Sequence, residues 1–124
     1  MKEIVSFTVE RDVPHNNYSF PTGWGNGYVG VPRGHALFEH DYNSEELYRV
    51  FDEDGVYPHG GFTFADHYNP STGKVEDDYW YFGFDTAHLG DNNITWDKAA
   101  VIRHTEELRT VFDNLEHKLD VLGL

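Results

Sequence analysis

Histidines and carboxylates gather at three places where the chain also changes character. Gly83-Phe84-Asp85-Thr86-Ala87-His88-Leu89-Gly90-Asp91 sets two carboxylates and one imidazole within seven residues of each other. Such a trio could bind a divalent metal, orient a water molecule, or hold a sugar-like diol through Asp85. Asp85 and Asp91 could equally be turn-makers, since aspartate readily accepts backbone N–H bonds in tight turns. His59-Gly60-Gly61-Phe62-Thr63-Phe64 puts an imidazole beside two glycines, where its ring can face a pocket. An unperturbed imidazole titrates near neutrality, so it suits proton transfer and ligand binding. The third segment runs from Gly23 to His35. Its glycines give backbone freedom and close approach, and Trp24 and His35 flank it. No phosphate-loop, nucleophile-elbow or zinc-helix pattern is present. His15, His40, His67, His104 and His117 lack such a setting and are the weaker candidates.

These segments need positioning, and the surrounding sequence supplies it. Ile4 to Val9 alternates like a strand. Tyr28–Val31 reads as a short strand ended by Pro32, and Gly61–Ala65 as a third. Asp78–Asp85 is the strongest strand pattern, and the turn Asn69–Gly73 makes a hairpin of the last two. Ser44 can cap a short helix from Glu45 to about Phe51. Thr95 can cap a long amphipathic helix from about Trp96 to Val121, with Val101, Leu108, Val111, Phe112, Leu115, Leu119 and Leu122 at helical spacing. The expected fold is α+β: an antiparallel sheet of about four strands, a short helix, and one long C-terminal amphipathic helix across a sheet face. Residues 1–124 make a single domain.

Geometry then predicts which candidates meet. His59 stands at the start of one hairpin strand and Asp85–Asp91 leaves the end of the other, so both belong to one edge. His35, His59, Asp85, His88 and Asp91 are expected to line one pocket, with Trp24 or Trp80 as a wall. His35 joins them only if Tyr28–Val31 runs parallel to Asp78–Phe84.

Composition bounds the function. Twenty-two acidic against nine basic residues give a net charge of −13. That repels phosphate backbones and anionic membranes, so direct nucleic-acid binding is not expected. No apolar run is long enough to span a bilayer, and the first residues do not resemble a signal peptide. The expected compartment is the cytoplasm. With no cysteine, a metal would rely on histidine, carboxylate or carbonyl ligands. Nine Phe, eight Tyr and three Trp supply either a ring-built core or a ring-lined pocket. The apolar end Val121-Leu122-Gly123-Leu124 suggests a homo-oligomer contact.

The three blocks together resemble a family of small bacteriophage and prophage proteins. The resemblance runs through Gly27-Tyr28-Val29-Gly30-Val31-Pro32 with His35, through His59–Phe64, and through Gly83–Asp91. It implies a phage origin and work in a host bacterial cytoplasm against host defence or metabolism, and it carries no catalytic residues with it. The leading expectation is a module that binds a polar, nucleotide-like small molecule. The alternatives are a metal-assisted hydrolase using the histidines and aspartates, and an acidic inhibitor that mimics nucleic acid toward a host protein.

Overall fold

The computed structural model describes residues 2–12 and 20–122, with helix side chains described to residue 116. In chain order its elements are β1 (Val5–Glu10), β2 (Gly25–Pro32), α1 (Glu45–Asp54), β3 (Phe64–Asp66), β4 (Tyr68–Asn69), β5 (Lys74–Val75), β6 (Tyr79–Phe84) and α2 (Lys98–Leu122). A four-stranded antiparallel sheet in the order β1-β2-β6-β3 carries α2 on one face, so the expected α+β architecture is present. The small β4–β5 hairpin forms the connection between β3 and β6.

Alternation sorts the sheet's side chains. Val29, Val31, Phe82 and Phe84 face α2 and are buried with Val101, Leu108, Val111 and Phe112. Phe82 and Phe112 stack with centroids 5.4 Å apart. Leu47 and Phe51 of α1 and Phe62 complete this core. The opposite face carries rings of its own: Phe7 stacks on Tyr28 at 5.4 Å and meets Tyr81 edge-on at 5.7 Å.

Several boundaries differ from the sequence reading. β2 begins at Gly25, so most of the glycine-rich segment is strand rather than loop. Its glycines serve packing: a Cβ on Gly27 would sit 2.0 Å from Thr105 Oγ1 and 2.5 Å from the Phe84 ring. β3 starts late because Gly60 and Gly61 adopt φ of +69° and +84°, which turns the chain away from the ladder. Ser44 caps α1 as expected, accepting from the Leu47 N–H. Asp97, not Thr95, caps α2, its Oδ1 accepting from the Ala100 N–H at 2.9 Å. Thr95 instead belongs to a turn held by Asn92 Oδ1. His15, the side chains of His117, Leu119 and Leu122, and the end of the proposed tail contact lie outside the description.

Leu108→Asp puts a carboxylate into the fully buried stripe and should leave the protein unfolded or aggregated, as read by circular dichroism and sedimentation. Gly27→Ala should lower stability by about 2 kcal/mol, because Thr105 and Phe84 have no space into which to retreat. Chemical denaturation measures that loss, and an unchanged midpoint would contradict the packing described here.

Candidate functional site

Four of the residues expected at one site come together beyond the C-terminal end of β6: His59, Asp85, His88 and Asp91. Asp91 is buried, with its side chain 6% exposed, and it is the hub. Its Oδ1 accepts from His59 Nε2 at 2.7 Å, and its Oδ2 accepts from the His88 backbone N–H at 2.9 Å. A carboxylate accepts only, so His59 carries its proton on Nε2. The nitrogen left for a ligand is Nδ1, on a side chain that is 26% exposed.

Asp85 is built on the same plan. Oδ1 accepts from the Ala87 N–H at 2.9 Å, closing the turn, and Oδ2 accepts from Thr63 Oγ1 at 2.8 Å. Both aspartates are therefore turn-makers, and each also faces an imidazole. His88 Nε2 lies 3.2 Å from Asp85 Oδ1, yet it is buried without an aligned hydrogen bond. It is the one such side-chain atom among the described residues. The ring fits only because Gly60 lacks a side chain; a Cβ there would meet Nε2 at 2.3 Å.

The site gains an imidazole and an indole that the sequence reading undervalued. His104 of α2 accepts the His59 backbone N–H on Nε2 at 3.0 Å. Burial, reinforced by the neighbouring His59, lowers its pKa below the ordinary 6.5 despite Glu107. Trp96 forms the wall, its ring 4.3 Å from that of His59 and 5.6 Å from that of His104. Its only signal in the sequence is an aromatic residue between the Asp85–Asp91 block and α2. Neither contact has a local pattern, since α2 reaches His59 across 45 residues of chain.

The remaining expected members lie elsewhere or at the margin. β2 runs antiparallel to β6, and Pro32 pairs with Tyr79. His35 is thus carried to the opposite end of β6 and does not join the cluster. There it is buried, accepting from the Leu37 N–H on Nδ1 and facing the Phe112 carbonyl with Nε2. Burial lowers its pKa as well. Trp80 pairs in register with Val31 near that same end, donates from Nε1 to the His40 carbonyl at 2.7 Å, and packs on His67. It is not a wall of the site. Trp24 is nearer, bonded through its backbone N–H to the Trp96 carbonyl at 2.8 Å, and Lys98 Nζ sits 5.8 Å from its ring.

Two chemical statements follow. Among the described residues, no three histidine or carboxylate side chains are grouped to hold a metal ion. A cavity of about 490 Å³ lined by Lys2, Glu76, Asp77, Asp78 and Tyr79 lies at the other end of β6. The His59 cluster is a partly exposed rim of imidazole and carboxylate groups over the buried Asp91.

No protein-family model matches this chain, no curated protein is significantly similar to it, and no solved structure matches it.

Asp91→Ala removes one acceptor from two donors and should cost about 1–3 kcal/mol, read as a lowered denaturation midpoint. Acidification should also destabilise the fold through His35 and His104. Their folded pKa values are lowered, so their contribution is complete above 6.5 and is lost as pH falls toward the folded values. His67, raised overall by Glu39 and two carbonyls against the opposing effect of burial, has the opposite sign. Its ring lies near the surface, so the buried pair should dominate. Melting curves between about pH 7.5 and 5.5 test this; a midpoint that rises on acidification would refute it.

Proposed function

We propose that this chain is a small binding module that holds a polar, nucleotide-like small molecule at the His59–Asp85–His88 rim. The carrying observation is the buried Asp91 carboxylate on His59 Nε2, which fixes the ring and leaves Nδ1 as its open edge on a side chain that is 26% exposed. Asp85, one-quarter exposed, adds a carboxylate acceptor at the same rim. The Asp85 carboxylate selects donors: a sugar diol or the amino group of a base. It does not select phosphate. Of the cations the sequence offered for phosphate, Arg33 bonds to the Asp77 carbonyl and His35 is buried at the far end of β6, so neither reaches the rim. The ligand's uncharged part therefore contacts the rim, and any phosphates point to solvent, which suits a chain of net charge −13. Together with the resemblance to phage proteins, this supports an accessory role in which a host small molecule is sequestered.

Native mass spectrometry of protein purified from bacteria tests the reading. A small molecule retained under native conditions and released on denaturation is expected. His59→Ala and Asp85→Ala should each lose it while remaining folded. Protein that carries no adduct, and whose melting no nucleoside or nucleotide shifts, would overturn the reading and favour the acidic surface acting on a host protein.

A further inference from the structure

β1 is an edge strand of six residues, and its outer side is unpaired among the described residues. Which of its backbone groups face outward follows from the register. β1 pairs with β2 from Val5↔Gly30 to Glu10↔Gly25. The next pair in that register, Arg11 with Trp24, is hydrogen-bonded: the Arg11 N–H donates to the Trp24 carbonyl at 2.9 Å. In an antiparallel ladder bonded pairs alternate with unbonded ones. Val5, Phe7 and Val9 therefore spend their N–H and C=O groups on β2, and those of Ser6, Thr8 and Glu10 point outward.

An edge with outward donors and acceptors and no proline among its residues is a template for another strand. We propose that its occupant is β1 of a second copy of this chain, paired antiparallel about a two-fold axis at Phe7. The residues are self-complementary in that register. Phe7 faces Phe7, Val5 faces Val9, and Ser6 faces Thr8, so apolar side chains meet on one face and hydroxyls on the other. The matched stretch ends where Glu10 falls opposite Ile4. Centring the pair on Thr8 instead keeps Phe7 against Val9 but sets Glu10 against Ser6 and Arg11 against Val5, so fewer pairs match. Phe7 already packs on Tyr28 and Tyr81, so joining two Phe7 rings would make one continuous aromatic layer across both sheets. A six-residue edge contact is short, so association is expected to depend on protein concentration.

This inference does not depend on the ligand site. Sedimentation equilibrium should show a mass rising from 14.3 kDa toward twice that value with concentration. Thr8→Pro removes an outward N–H that β2 does not use, so the variant should fold normally and stay monomeric. The chain has no cysteine, which allows a register test. F7C chains should form a disulfide-linked dimer on mild oxidation, and V9C chains, whose neighbour is Val5, should not. Circular dichroism checks that both are folded. A monomer at every concentration, a dimer that Thr8→Pro leaves intact, or cross-linking of V9C as efficient as that of F7C would overturn the proposal.

Discussion

The close approach of β2 and β6 is the constraint on which the rest depends. Their register sets Tyr28 opposite Gly83 and Tyr81 opposite Gly30, so each tyrosine ring lies across the glycine of its partner strand. A Cβ at Gly83 would stand 2.5 Å from the Tyr28 ring, and one at Gly30 would stand 2.5 Å from the Tyr81 ring. Two glycines that would ordinarily weaken a strand are thus covered by aromatic surface. On the other face, Gly27 lets Thr105 and Phe84 approach the backbone, which seats α2 on the central pair. The sheet is consequently lined by rings on both faces, and β6 is held at the centre with little freedom.

That rigidity is delivered to the end of β6, where the chain turns at Asp85. The loop from Asp85 to Asp91 is fixed by its own aspartates before any ligand is considered. Asp91 links it to the His59 segment, and His104 fastens that segment to α2. The same bonds that order the loops fix the imidazoles. Buried, hydrogen-bonded aspartate gives structure, and by taking His59 Nε2 it also determines which nitrogen remains open. Stability and binding chemistry draw on one set of contacts here, so a change at His59, Asp85 or Asp91 needs folding and binding read side by side.

Four of the nine lysine and arginine side chains are engaged by neighbouring groups. Arg11 bonds to the Gly23 carbonyl, Asn26 and Thr86, tying the end of β1 to the glycine-rich segment and to the residue after Asp85. Lys2 and Arg33 both approach Asp78, and Arg109 reaches Asp113 and Ser6. The solvent-facing ion pairs contribute little to stability. Their consequence is electrostatic: these positive charges are held beside carboxylates or carbonyls, away from the rim at His59.

The alternating pattern of β1, the aromatic run of β6, the Ser44 cap and the apolar stripe of α2 were legible in the sequence, because each is dictated by local periodicity and by side chains three to four residues apart. The convergence of His59 with Asp85, His88 and Asp91 was legible for the same reason, since one hairpin brings its two ends together. The glycine-rich segment was not readable as strand, because its glycines are explained by Tyr81, Phe84 and Thr105, which lie far along the chain. His35 was misplaced and His104 and Trp96 undervalued for a related reason. Whether β2 runs parallel or antiparallel to β6, and which turn of α2 lies over the His59 segment, are set by long-range packing. Local periodicity fixes which face a residue presents along its own element; only the closing of the sheet beneath α2 decides which distant residue that face meets.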